Sequence, residues 1–208
     1  LLDDKGFVCA NQEEDCPECL KELILENGQR ISLRERNKKA LEYYNKLDAL
    51  ISPSRYLAEK YIERGVLREK MELIGYGIDL SRFKDNHKVK SEKIRFGFLG
   101  QVAWHKGVEN LARAMALLTK EEQDRISLSI VGLGEELFFK YAKGLFKELP
   151  FVKFEGKVSN EKVSRILKGL DVLIVPSIWP ENSPVIILEA LASGTPLIAS
   201  NIGGIPEL

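Results

Sequence analysis

Residues 171–200 read DVLIVPSIWPENSPVIILEALASGTPLIAS. An unbroken apolar run from Val172 to Val175 stops at Pro176, as a buried strand does where its ladder has to end. A loop bounded by Pro176 and Pro184 carries Glu181. Ser183 and Pro184 then resemble a helix start, with Ser183 as N-cap and Pro184 in the first helical position. The helix runs past Glu189, and PLIAS returns as a second strand. Two carboxylates with seven residues between them stand on either side of that helix start, and a buried acid is costly without a partner.

The same alternation extends outward. IRFGFLG, ISLSIVG and FVKFEG read as strands, and VENLARAMALL, EELFFKYAKGLFKEL and NEKVSRILKGL as the helices between them. Continuous apolar strands joined by single helices predict a parallel sheet covered on both faces. The fold class is therefore α/β, a doubly wound parallel sheet over residues 94–208, with ligands expected at the carboxyl ends of its strands. Residues 1–80 read as a separate segment. It has a cysteine loop, a mixed-charge helix over 33–46, a strand closing at Pro53, a helix ending at Gly65 and a further strand in MELIGYGIDL. The polar, basic stretch 81–93 reads as a linker.

Composition narrows the function classes. The chain has 208 residues, 44% of them hydrophobic, which supports a sizeable core. Lys plus Arg equal Asp plus Glu at 31 each, so nothing draws nucleic acid in general and any anion needs a local site. No apolar run has the length of a membrane span, and no signal-peptide pattern opens the chain. A cytoplasmic location is expected, with peripheral contact of the linker lysines on the inner membrane face as the further option. Cys9, Cys16 and Cys19 include a Cys-x-x-Cys pair. Free thiols, a structural metal and a disulfide all stay open, since three cysteines leave a zinc site one ligand short.

The strand ends carry the candidate chemistry. Lys106 and Gly107 open the helix after IRFGFLG, and an ammonium beside free helix N–H groups suits a phosphate. Gly132-Leu133-Gly134 is a bare Gly-x-Gly, which equally marks a tight strand-to-helix turn. The N–H groups of Val185 and Ile186 have no helical acceptor. Glu189, one turn on, leans back toward them, and Glu181 reaches the same mouth from the loop. Paired acceptors beside an anion site suit a ligand bearing both hydroxyls and phosphate. No Asp-x-Asp occurs, so a leaving group's charge falls to Lys106 and a helix end without metal. His105 reads as a solvent-facing loop residue.

In SPSRYLAEKYIERG, IGYGID, LGQVAWHKGVENLARAM, IVGLGEE, FEGKVS and DVLIVPSIWPENSPVIILEALASGTPLIASNIGGIPEL the chain resembles the retaining glycosyltransferases of the two-Rossmann-domain (GT-B) fold, family 4 or group 1, over roughly residues 47–208. Even CPECL has a counterpart among relatives with a cysteine loop. The resemblance implies a Rossmann-like, C-terminally truncated donor half preceded by part of an acceptor-side domain. It also implies transfer of a sugar, with retention, from a nucleoside-diphosphate sugar to a saccharide or lipid-linked acceptor, as in polysaccharide biosynthesis. No cofactor beyond the donor is implied.

By the same resemblance Lys106 holds the diphosphate, Glu189 the ribose hydroxyls, and Glu181 faces the donor sugar. The N–H groups after Ser183, the first of them at Val185, meet sugar or phosphate, and Pro184 stands at the same helix start. Val158 lies by the nucleobase, and Gly132 and Gly134 let the nucleotide approach the backbone. Gln101 stands where relatives carry a second cation, a substitution that weakens a diphosphate hydrogen bond by about 1 kcal/mol. The family's catalytic histidine belongs to the acceptor side, and neither His87 nor His105 matches it, so residues 1–208 alone are expected to bind donor without transferring the sugar. A non-catalytic nucleotide-sugar-binding module and a sugar-nucleotide epimerase of the same architecture are the alternatives. The Glu-x7-Glu setting argues against the epimerase.

Overall fold

The computed structural model describes residues 22–24, 28, 30–84 and 90–208. The three cysteines and His87 lie outside the described residues. Two compact units divide at Gly75 and Tyr76.

In the first unit an antiparallel pair, β1 (Glu22–Ile24) and β2 (Arg30–Ser32), precedes α1 (Leu33–Tyr44). The pair was not expected from the sequence. Ser32 caps α1 by accepting from the Glu35 N–H at 3.1 Å. β3 (Leu50–Ser52) and β4 (Met71–Leu73) pair in parallel around α2 (Arg55–Ile62), which Ser54 caps through the Leu57 N–H.

The second unit is a sheet in the order β7-β6-β5-β8-β9, with every pairing parallel. Its strands are β5 (Ile94–Leu99), β6 (Ile126–Val131), β7 (Val152–Gly156), β8 (Val172–Val175) and β9 (Leu197–Ala199). The connecting helices are α3 (Val108–Ala116), α4 (Lys120–Asp124), α5 (Glu136–Leu145), α6 (Asn160–Gly169) and α7 (Val185–Ala192). The period of two along the central strands β5, β6 and β8 feeds two cores. Phe98, Leu128, Ile130 and Ile174 pack with α3 and α5 residues on one face. Leu99, Val131, Leu173 and Val175 pack with Leu167 of α6 and Ile187 of α7 on the other. Burial on both faces is why β8 and the end of β5 are apolar without alternation, whereas the edge strand β7 exposes Lys153 and Glu155.

A short helix follows that was not expected from the sequence. Thr119 and Glu122 form a reciprocal capping box that starts α4 where VENLARAMALL ends. The stretch read as linker also differs at its start. Leu80–Phe83 forms a 3₁₀ turn, and Phe83 is buried in the second core, so the second unit begins at Tyr76. Among the described residues no helix is long and apolar enough to cross a membrane.

Candidate active site

The chain turns back across the sheet between β5 and β8, which are neighbours with helices leaving to opposite faces. Such a switch point opens a crevice at the carboxyl ends of the two strands. The loop after β5 enters a 3₁₀ turn, Trp104–Lys106, and the loop after β8 runs from Pro176 to Pro184.

These loops are fastened to each other. The His105 carbonyl accepts from the N–H groups of Ile178 at 3.0 Å and Trp179 at 3.2 Å. The His105 ring meets Trp104 and Trp179 edge-on, each with centroids 6.1 Å apart. Contrary to the reading as a solvent-facing residue, His105 is half-buried; burial first, then the Lys106 charge, holds its pKa below the ordinary value, against the opposing pull of Glu181. Gly107 closes the junction with φ 72°, and a Cβ there would stand 1.8 Å from the Pro176 carbonyl oxygen.

The outcome is a contact between the two residues singled out for chemistry. Lys106 Nζ lies 2.6 Å from Glu181 Oε1, and Ser177 Oγ donates to the same oxygen at 2.8 Å. Glu181 is 12% exposed and Lys106 28%, so the pair is screened from bulk water yet open on one side. The Glu181 carbonyl accepts from the Gly204 N–H at 2.6 Å, which fixes the loop from behind.

The helix start differs by one residue from the sequence reading. The N-cap is Pro184, with ψ 112°, and no side chain caps α7. Ser183 therefore lies outside the helix, buried, and its Oγ has no hydrogen-bond partner among the described residues. A proline ring cannot accept a hydrogen bond, and the first-turn N–H groups of Val185 and Ile186 have no intrahelical acceptor. Glu189, in the second turn, is 14% exposed and lies 3.7 Å from Arg82 Nη1. Burial raises its pKa, and Arg82 pulls the other way.

Gly132 and Gly134 are glycines for a reason inside the protein. A Cβ on Gly132 would stand 1.8 Å from the Gly100 oxygen, and one on Gly134 1.9 Å from the Val102 oxygen. The loops after β5 and β6 thus press backbone to backbone. Gln101 is exposed in the first of them, and Val158, after β7, is half-buried against the second core. Arg82 and Ser177 were missed from sequence. Arg82 stood in polar surroundings, and the Ser177 hydroxyl has no motif of its own.

Residues 80–208 match the family model of glycosyl transferases group 1. The chain belongs to the group 1 glycosyltransferases. An uncharacterized glycosyltransferase of Methanocaldococcus jannaschii is 31% identical over 129 residues, covering 61% of this chain and 32% of that protein. The amylovoran biosynthesis glycosyltransferase AmsK of Erwinia amylovora is 27% identical over 187 residues, covering 85% and 45%. This group 1 chain thus spans from a third to just under half of their lengths. Among solved structures, HepE of Anabaena in complex with UDP and glucose superposes with a TM-score of 0.71 at 20% identity, over 82% of this chain and 49% of that one. Sucrose-phosphate synthase of Thermosynechococcus elongatus superposes with a TM-score of 0.68 at 25% identity, over 88% and 47%. The fold shared with these glycosyltransferase structures is the Rossmann-like, GT-B architecture, and the matched segment contains every candidate residue from Arg82 to Glu189.

Proposed function

We propose that this chain binds a nucleoside-diphosphate sugar in the crevice between β5 and β8, and that the protein transfers the sugar to a saccharide or lipid-linked acceptor. The observation that carries the reading is the Lys106–Glu181 contact at the switch point, with Glu189 on the adjoining helix. Membership of the group 1 glycosyltransferases supplies the reaction class, and the fold likeness to a protein solved with UDP and glucose supports a nucleotide donor. AmsK, named for amylovoran biosynthesis, makes a polysaccharide acceptor the natural first test.

In this reading Lys106 takes the diphosphate, Glu189 accepts from the ribose hydroxyls, and Glu181 faces the sugar. Gln101, Val158, Gly132 and Gly134 line the nucleotide side, and Ser183, Pro184 and Val185 meet phosphate or sugar hydroxyls at the start of α7. The bond between anomeric carbon and diphosphate oxygen breaks, its electron pair leaving with the nucleotide. The acceptor's hydroxyl oxygen forms the new bond, and one proton is released. Negative charge grows on the diphosphate as positive charge grows on the sugar, so a cation and a carboxylate already in place gain most at that moment. The start of α7 adds about 0.3–1 kcal/mol through its dipole. Retention rests on the family resemblance, and transfer without metal on the lack of an Asp-x-Asp pair together with Lys106.

The test is melting temperature and calorimetric binding with uridine, guanosine and adenosine diphosphate sugars, with and without EDTA. One nucleotide series should stabilise the protein, and Lys106→Ala should remove the effect. No stabilisation by any nucleotide would overturn the donor reading. A loss of affinity beyond about tenfold with EDTA, the fold unchanged, would overturn the metal-free part.

A further inference from the structure

Glu189 does not stand alone in its crevice. Arg82 reaches it from the 3₁₀ turn Leu80–Phe83, a segment far from α7 in sequence. The turn is built to hold Arg82 in place. Asp79 accepts from the Ser81 N–H at 2.9 Å at its start, and Phe83 is buried in the core at its end. The guanidinium lies 5.7 Å from the Phe83 ring centroid, and its Nη2 donates to the Asn160 carbonyl at the start of α6. One nitrogen is therefore committed to α6, and Nη1 stands 3.7 Å from Glu189 Oε1.

That distance is informative. It is well inside the range of a strong charge–charge interaction for a carboxylate only 14% exposed, and too long for a hydrogen bond. A bidentate arginine would fill the lone pairs of the carboxylate. Here the charge acts while the oxygens stay open. We propose that Arg82 is an electrostatic positioning residue for the donor site, facing Glu189 with a fixed positive charge while leaving the carboxylate's lone pairs to a ligand's hydroxyl groups. The inference rests on the reading of Glu189 as the group that accepts from a ribose.

The physical need is evident from the surroundings. Burial alone drives Glu189 toward its neutral form, which is a poorer acceptor, and Arg82 opposes that. α6, packed against α7, carries Glu161, Lys162, Arg165 and Lys168, and Asp79 and Lys84 flank the turn. Among the described residues none of these pairs with Glu189. α7 has no other charged residue. Arg82 is thus the cation on which the ionised state of Glu189 depends.

The test is calorimetric affinity for uridine, guanosine and adenosine diphosphates on the 208-residue chain from pH 5 to 8. The tightest of the three is carried through Arg82→Gln, Arg82→Lys, Glu189→Gln and the Arg82→Gln/Glu189→Gln double variant, with thermal melting as the check on folding. In the parent, over and above the fall from protonation of the nucleotide's terminal phosphate, affinity falls on the acid side as Glu189 takes up a proton. Arg82→Gln should move that fall upward by about one pH unit, and so weaken binding by up to about tenfold within that window. Arg82→Lys keeps the charge and should restore most of the profile. Glu189→Gln should leave only the fall that protonation of the nucleotide's own terminal phosphate brings, and the double variant should add no further pH dependence. If Glu189→Gln weakens binding but Arg82→Gln leaves the profile in place, the role of Arg82 is refuted and the donor reading stands. If Glu189→Gln has no effect on affinity or its pH dependence, the ribose assignment itself fails, and this inference with it.

Discussion

Lys106 and Glu181 are 75 residues apart in sequence and 2.6 Å apart in space, so the cation assigned to a diphosphate is already engaged by a carboxylate. A donor has to share Lys106 with Glu181 or loosen the pair. Glu181→Gln should therefore free Lys106 and raise nucleoside-diphosphate affinity by about two- to fivefold, the scale of a partly exposed ion pair. Transfer should fall by a factor on the order of 10², because the carboxylate acts most on charge that develops at the anomeric carbon. Lys106→Ala should weaken binding by about ten- to a hundredfold, the loss of a charged hydrogen bond. Calorimetry and single-turnover rates separate the two. Equal weakening of diphosphate binding by both substitutions would show that Glu181 holds the nucleotide and not the sugar.

Ser183 offers a prediction of the opposite kind. Its buried hydroxyl has no partner among the described residues, which leaves it desolvated without compensation from them. Ser183→Ala should stabilise the ligand-free chain by about 0.5–1 kcal/mol and reduce donor affinity if a ligand hydroxyl or phosphate completes the bond. Urea unfolding with and without saturating nucleotide reads both. Destabilisation of the free chain would mean that the hydroxyl is satisfied in solution.

At the amino end of the same strands a structural pair supplies a control. Arg95 of β5 grips Asp171, just before β8, through Nε at 2.9 Å and Nη2 at 3.0 Å, and the Arg95 N–H adds a third bond at 2.8 Å. Asp171 is about a third exposed, which limits the pair's worth. Asp171→Asn should cost about 1 kcal/mol of stability and leave nucleotide affinity within about twofold, because the crevice lies at the other end of the sheet. A tenfold loss of affinity in a variant that still folds would show the two ends to be coupled.

The sheet was legible because β8 is an uninterrupted apolar run and the other strands place apolar residues at every second position or closer, and Gly107 and Pro176 mark its exits in the sequence itself. The two glutamates and Lys106 were legible as candidates for a related reason, since charged groups at the ends of buried strands need an explanation. What sequence spacing could not supply was partnership. Nothing in the local pattern says that Lys106 reaches Glu181, because that contact depends on β5 and β8 being neighbours. Arg82 was hidden by composition. A short 3₁₀ turn has no periodicity, and one buried Phe83 among polar residues carries too little signal to distinguish an anchor from a linker. The start of α7 was misread by one position because Ser-Pro fits the usual capping order, whereas the backbone at Pro184 stays extended and leaves Ser183 outside the helix.

Glu189 sets stability against function in a way that pH exposes. Its carboxyl is raised above the ordinary value of 4.5, with burial as the larger cause and Arg82 opposing. Below pH 4.5 folded and unfolded chains are both protonated there, and the residue makes no difference. As pH rises from 4.5 through the higher folded value, the unfolded chain gives up its proton first, so the folded state loses stability across that window. The loss is complete once the pH lies above the folded value, and the ionised form is the one that the proposed ribose contact requires. Glu189→Gln keeps the shape and removes the buried charge, while leaving Arg82 unpaired costs at most about 1 kcal/mol because that side chain is 31% exposed. The variant should melt at or above the parent temperature at pH 7, with an advantage that shrinks as the pH falls toward 4, and should bind nucleoside diphosphates about ten- to a hundredfold more weakly. Melting curves from pH 4 to 8 with matched calorimetry test both halves. A variant whose stability relative to the parent falls with rising pH would mean that the folded state favours the ionised carboxylate, and Glu189 would then be a structural ion-pair partner of Arg82 rather than a ligand acceptor held at a cost.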